Sequence, residues 1–270
     1  MREHLNTDFF TPARPRVFGH RGSAGTHPEN TLESFRAAVA SGVQYLEFDI
    51  HMTRDGEVVV SHDDHLERSC GRAGVIREMT YAELAGADAG RMFTLDGSTF
   101  PFRDKGIRVP RLTEVLAAFP ELRMIVEVKQ IAPSVVAPML AVIDRAGMRR
   151  NVLVASEHQG PLDEVRMLAP EIPTNFSYLE SGLFIQAMGT REAGYRPPAD
   201  AVQISHFYEN WELVTRQSVE FAHKCGIEMH VWTVNEEAEM SELLDMGVDG
   251  LISDYPRRAL DLVHSRAGRR

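Results

Sequence analysis

Glu47 and Asp49 lie two residues apart in the apolar run Tyr45-Leu46-Glu47-Phe48-Asp49-Ile50-His51, and Glu127 and Lys129 repeat that spacing in Ile125-Val126-Glu127-Val128-Lys129. Residues two apart in an extended strand share a face, so each pair points one way. Carboxylates converging from neighbouring strands repel in a low-dielectric interior unless positive charge sits among them, and a hard divalent cation meets that need. An all-oxygen donor set favours Mg²⁺ or Ca²⁺ over zinc, which recruits His or Cys. Singly, each acid reads as a salt-bridged strand carboxylate. Together, with cations beside them, they read as an ion site.

Arg21 and Lys129 supply fixed positive charge, and a guanidinium fork suits phosphate oxygens. His20 leaves the run Val17-Phe18-Gly19, and His62 follows Val58-Val59-Val60. Imidazoles titrate near neutrality and can carry the proton transfers that displacement at phosphorus requires. His51 shares the face of Glu47 and Asp49 and is their nearest rival, whereas His158, His223 and His264 read as hydrogen-bonded structural residues.

To gather these groups, the chain needs strands that end together. Short β-rich runs at residues 16–22, 45–51, 123–129, 151–156, 174–178, 201–206, 228–234 and 250–253 alternate with helical-period segments at 31–40, 133–146, 211–225, 236–246 and 257–264. That alternation predicts parallel βαβ units, and about eight of them close an α/β fold of about 250 residues, the TIM (β/α)8 barrel, whose catalytic groups collect at the C-terminal strand ends. Asn30 or Thr31 can cap the first helix, with Glu33 in its first turn, and Gly42, Gly147, Gly226 and Gly247 stand where helices stop. The rhythm breaks between Asp63 and Pro110. Val58–Val60 reads as an extra strand after the second one, residues 63–110 as a small insertion over the barrel mouth, and the delayed helix as residues 112–119. The whole of residues 1–270 is expected to be a single domain.

The composition agrees with a globular enzyme-sized domain: 270 residues, 43% hydrophobic, 25% charged. Disorder, collagen and coiled coil are excluded. With 29 Lys+Arg against 39 Asp+Glu the net charge is −10, and the Arg269-Arg270 tail is the one short basic block. That balance argues against a nucleic-acid groove or an anionic membrane surface, so an anionic substrate needs locally placed cations. Cys70 and Cys225 are too isolated for a disulfide framework or a zinc-thiolate site. Met1 to Pro15 lacks the apolar core of an export signal, and no run reaches membrane-spanning length, so a cytoplasmic protein without stable membrane insertion is expected.

These residues carry a family resemblance. His20-Arg21-Gly22, Pro28-Glu29-Asn30-Thr31, Glu47-Phe48-Asp49, Thr53-Arg54-Asp55-Gly56 and Val60-Ser61-His62-Asp63 resemble the N-terminal signature of glycerophosphodiester phosphodiesterases. Val109-Pro110-Arg111-Leu112, Glu127-Val128-Lys129, Trp232-Thr233-Val234-Asn235 and Gly247-Val248-Asp249-Gly250 continue the match in order, over about residues 16 to 258. The resemblance implies a metal-dependent phosphodiesterase on a TIM barrel with an insertion after the second strand. It implies His20 and His62 as the acid–base pair and Glu47, Asp49 and Glu127 as ligands of Mg²⁺ or Ca²⁺. It further implies Arg21 and Lys129 as phosphate contacts, and a small-molecule glycerophosphodiester as substrate.

Trp232, Phe207 and Tyr208 stand at or beyond strand ends and can line the pocket of the leaving alcohol, Trp232 most directly by its place in the matched run. Glu29 and Asn30 read as a first-turn acid and a cap, with Glu29 able to steady His20. One rival is a lysophospholipase D-like or cyclising phospholipase, for which Met92-Phe93 and Phe100-Pro101-Phe102 are the sparse apolar candidates. The other is a catalytically inactive barrel scaffold, which the complete constellation disfavours.

Overall fold

The computed structural model describes residues 8–190 and 194–267, so the Arg269-Arg270 tail and the first seven residues of the Met1–Pro15 segment lie outside the described residues. The elements run β1 Arg16–His20, α1 Leu32–Ala40, β2 Tyr45–Met52, β3 Val58–Val60, α2 Glu67–Cys70, α3 Tyr81–Leu84, α4 Leu112–Ala118, β4 Arg123–Val128, α5 Val136–Arg145 and β5 Val152–Ala155. They continue with α6 Gln159–Leu168, α7 Tyr178–Thr190, β6 Ala201–Ile204, β7 Phe207–Tyr208, β8 Trp211–Glu212, α8 Arg216–Lys224, β9 Glu228–Val231, α9 Glu237–Met246, β10 Gly250–Ser253 and α10 Pro256–Ala267.

Seven parallel strands follow the order β5-β4-β2-β1-β10-β9-β6, and β3 pairs antiparallel with β2. Two single-residue parallel bridges, Val154 to Thr174 and Asn175 to Ala201, close the ring where the eighth strand belongs. The fold is the TIM (β/α)8 barrel. The strand expected at 174–178 is cut short because Ser177 starts a helix instead. Its backbone N–H donates to the Glu180 carboxylate at 3.0 Å, and its hydroxyl accepts from Glu180 N–H at 3.2 Å. This is the reciprocal pairing of a capping box, a Ser followed three residues later by Glu.

The helix expected over 211–225 also shortens. Trp211 and Glu212 pair with Phe207 and Tyr208 in a hairpin, and Thr215, accepting from Ser218 N–H at 3.1 Å, starts the helix at Arg216. At α1, Thr31 is the cap, accepting from Ser34 N–H at 3.2 Å, which leaves Asn30 free for another task.

Alternation along the strands sorts the side chains. Val17, Leu46, Phe48, Val126 and Val154 face the helices in one large core. Phe18, Tyr45, Ile125, Leu153, Ala201 and Ile252 fill the barrel interior, with Phe9 from the N-terminal turn beneath them. Below this layer lies a buried polar network. Arg16 donates to Glu228 at 2.6 Å, to the Tyr45 hydroxyl at 2.8 Å and to the Phe10 carbonyl at 2.7 Å. His230 joins Glu228 at 3.1 Å and Gln203 at 3.1 Å. Residues 63–110 carry α2 and α3 around their own small core of Leu66, Cys70, Ile76, Leu84, Ile107 and Val109.

Candidate active site

β1 ends at His20, and the chain turns at once through Arg21 (φ 47°) and Gly22 (φ 91°). A Cβ at Gly22 would meet the Ser34 backbone carbon at 2.6 Å, so the turn that aims His20 and Arg21 across the strand ends requires glycine both for its φ and for its closeness to α1. β2 lies beside β1, with His20 opposite Glu47, and β4 lies beside β2, with Asp49 opposite Glu127. Register therefore brings residues from three separate chain segments to one point.

There, a carboxylate oxygen from each of Glu47, Asp49 and Glu127 lies within 4.8 Å of the other two. Oxygens bound to one Mg²⁺ or Ca²⁺ sit up to about 5 Å apart, so the oxygen-only set fits such an ion. The surrounding charges are placed unevenly. Asp49 is 1% exposed and accepts from Asn30 Nδ2 at 2.9 Å, with Lys129 Nζ at 3.6 Å and Arg21 Nε at 3.3 Å, the last without hydrogen-bond alignment. Burial pushes its carboxyl up, but Arg21 and Lys129 outweigh burial and hold it below its ordinary range. Lys129 also donates to Glu127 at 2.6 Å. Glu127 is nonetheless raised, by burial first and then by the charge of Asp49. Glu47 accepts from the Arg21 backbone N–H at 3.0 Å and is pushed up to about 8 by burial and then by Asp49. Ionised together, the three acids would carry more negative charge than Arg21 and Lys129 offset, which adds to burial in making Glu47 and Glu127 hold their protons more tightly.

Each candidate proton carrier leans on a carboxylate. His20 Nδ1 lies 2.7 Å from Asp254 Oδ1, with its Nε2 3.9 Å from Glu47. Burial pulls the His20 imidazole down, but the bond to Asp254 and the charge of Glu47 raise it on balance. Asp254 follows β10 and is held by Asn235, whose amide donates to Oδ2 at 2.7 Å and whose carbonyl accepts from the Asp254 N–H at 3.0 Å. His62 Nδ1 lies 2.7 Å from Asp63 Oδ1. Asp63 Oδ2 accepts from Arg68 Nε at 2.6 Å, and the other two nitrogens of Arg68 donate to Glu29 at 2.8 and 2.6 Å. Glu29 in turn accepts from Arg21 at 3.0 Å. Glu29 therefore steadies Arg21, not His20, and Asn30 holds Asp49 instead of capping α1.

His51 shares the strand face of Glu47 and Asp49, but its ring is spent on the backbone. It is buried, with Nε2 3.0 Å from the His62 carbonyl, and burial lowers it. Trp232 lies just past β9 and is 39% exposed. Phe207, Tyr208 and Trp211 stand out on the β7–β8 hairpin. His223 is structural as expected, 2.9 Å from Asp249, and His158 lies 3.5 Å from Glu157.

Sequence reading missed four contributors. Asp254 could have been found, since it ends the eighth strand and the rule of polar residues at strand ends applied to it as to the others. Asn235 stood in a quoted run without a task, Asp63 likewise, and Arg68 gave no signal, because its partner Glu29 is 39 residues away. A cavity of about 1400 Å³ lies at the opposite, N-terminal end of the barrel, away from these groups. Arg14, His223 and Arg266 on its wall are already paired with Asp249 and Asp245.

Residues 20–258 match the family model of the glycerophosphoryl diester phosphodiesterase family. A glycerophosphodiester phosphodiesterase of Caldanaerobacter subterraneus subsp. tengcongensis is 29% identical over 92% of this chain and 97% of its own length. A lysophospholipase D of Homo sapiens is 28% identical over 91% of this chain and 85% of its own. An Oleispira antarctica phosphodiesterase, solved in complex with the product sn-glycerol-3-phosphate, superposes with a TM-score of 0.75 at 25% identity, covering 93% of this chain and 97% of that one. Among the described residues no helix is long and apolar enough to cross a membrane.

Proposed function

The chain belongs to the glycerophosphoryl diester phosphodiesterase family, and on that premise we propose that it hydrolyses glycerophosphodiesters to glycerol 3-phosphate and an alcohol, with His20 and His62 as its acid–base pair. The single observation that carries this reading is the convergence of three carboxylates and two cations between two carboxylate-backed histidines. Glu47, Asp49 and Glu127 hold a divalent cation, Mg²⁺ or Ca²⁺. When bound, that ion supplies Lewis-acid polarisation of a nonbridging phosphate oxygen.

Arg21 and Lys129 grip the phosphoryl oxygens and stabilise charge that grows on them. One imidazole takes a proton from the attacking oxygen while the other returns one to the departing alcohol oxygen. Asp254 and Asp63 fix the ring orientations so that both Nε2 atoms face the substrate. The attacking oxygen is that of water, or of the glycerol hydroxyl next to the ester, in which case the alcohol leaves behind a cyclic phosphate that water then opens to glycerol 3-phosphate. Trp232 lines the alcohol side of the pocket. Residues 63–110 form an inserted wall over the mouth within a single domain, since Phe102 of that segment packs on His27 of the β1–α1 loop with ring centroids 5.2 Å apart.

The insertion supports a small substrate over an acylated one: Phe93 and Phe102 pack on each other and Phe100 lies under Arg103, which leaves Met92 and Leu95 as its exposed large apolar side chains, too few for a collar. The deciding experiment follows choline release from glycerophosphocholine and from its acylated form, after chelation and after Mg²⁺ or Ca²⁺ is restored. Metal-restored release with preference for the deacylated substrate is expected. Preference for the acylated lipid selects the phospholipase reading, and no metal-dependent turnover of any glycerophosphodiester selects the scaffold.

A further inference from the structure

We propose that Arg68, on α2 of the insertion, is a positioning residue that sets the phosphate-binding guanidinium and one of the two imidazoles at the same time; this rests on the roles proposed above for Arg21 and His62. All three nitrogens of its guanidinium are engaged. Nε donates to Asp63 at 2.6 Å, and NH1 and NH2 form a two-pronged pair with Glu29 at 2.8 and 2.6 Å. Each acceptor passes the constraint on to a different site group. Asp63 reaches His62 Nδ1 at 2.7 Å, and Glu29 receives Arg21 at 3.0 Å.

This geometry separates Arg68 from an ordinary surface ion pair. An exposed pair between flexible side chains contributes little. Here one planar fork spans two carboxylates that belong to different elements, Glu29 before α1 and Asp63 before α2, and both are held below their ordinary pKa range: burial raises each, and the Arg68 bond and neighbouring positive charge outweigh it. Without Arg68, Glu29 keeps Arg21 alone and Asp63 keeps His62 alone, and nothing fixes the distance between the two arms. Lysine cannot replace it, because an ammonium lacks the fork that addresses two carboxylates in one plane. The insertion, on this view, completes the site through one residue.

The test compares Arg68→Ala, Arg68→Lys, Glu29→Gln and Asp63→Asn on glycerophosphocholine with saturating Mg²⁺. Partners that orient groups of a site cost about 10–100-fold when removed. Glu29→Gln should act mainly on KM, Asp63→Asn mainly on kcat, and Arg68→Ala on both, with Arg68→Lys no better. Each double variant with Arg68→Ala should lose less than the product of its single losses, and added guanidinium ion should restore part of the Arg68→Ala loss. Arg54→Ala serves as the control for simple weakening of the insertion, since Arg54 bonds Glu78 and Glu83 and touches no site group. Multiplicative losses, or equal losses by Arg54→Ala and Arg68→Ala, overturn the proposal. So does an Arg68→Ala variant of normal kcat and KM. If Arg68→Ala does not fold, Arg68→Gln in the same double variants decides. Absence of turnover by the unsubstituted protein instead fails the phosphodiesterase reading itself and takes this inference with it.

Discussion

The barrel holds two clusters of buried charge, one at each end, and they are built on opposite principles. At the floor, Arg16 and Glu228 are both under a tenth exposed and pair with each other, with Tyr45 and Phe10 completing Arg16 and His230, itself held by Gln203, bonding Glu228. At the mouth, three acids share two cations, and Glu47 and Glu127 are both raised by burial and by Asp49. A network whose charges balance internally is fit for holding a fold. One left with uncompensated negative charge is fit for binding, because a cation completes it.

Loss of a proton carrier at the mouth gives the largest contrast. His20→Ala and His62→Ala should each lower turnover by about 10²–10⁴ while leaving the folded structure intact; steady-state rates beside circular dichroism check this, and near-normal turnover by both removes the assignment. At the floor the pattern should invert. Arg16→Met leaves Glu228 buried without its guanidinium partner, with an expected loss of about 3–5 kcal/mol in denaturant unfolding and a normal kcat for the protein that remains folded. A stable Arg16→Met protein with impaired turnover would erase the distinction between the two ends. Asp254→Asn should cost about 10–100-fold in kcat, because the amide can no longer stabilise the charged imidazole of His20; an unchanged kcat would show that Asp254 is idle.

The smallest effect is the dependence of stability on pH. A carboxyl raised in the fold binds its proton more tightly there, so Glu47 contributes stability fully below its ordinary value of 4.5 and loses it as pH rises through about 8. Chelated protein should therefore melt at progressively lower temperature from pH 5 to pH 9, and added Mg²⁺ or Ca²⁺ should lift the alkaline end most. Glu47→Gln should flatten the slope, and a slope unaffected by that substitution would move the frustrated charge elsewhere.

Much of this was legible in the chain because two-residue periodicity is a strict consequence of the pleat: Glu47, Asp49, Glu127 and Lys129 could only converge if their strands were neighbours. The His-Arg-Gly turn was legible for a similar reason, glycine being required where φ is positive and α1 is close. What stayed hidden depends on distance along the chain or on competition between local rules. Arg68 and Glu29 meet only through the fold. Ser177 looked like the middle of a strand because β-rich neighbours outweighed a capping pair four residues long. Trp211 looked helical because the hairpin that claims it is only two residues deep on each side.

That capping pair has a mechanical consequence. Thr174 and Asn175 join the ring through one bridge to each neighbour, where β4 pairs six residues with β2 and four with β5. Side chains take over what the backbone leaves undone there: Arg166 donates to the Thr174 hydroxyl at 3.1 Å and to the Asn175 carbonyl at 3.0 Å, and Asn175 accepts from the Ser156 N–H at 2.9 Å. His20, Glu47, Asp49, Glu127 and Asp254 stand on or just past the contiguous arc β10–β1–β2–β4, across the ring from that seam, so the side-chain stitching of the seam and the geometry of the site rest on separate parts of the wall.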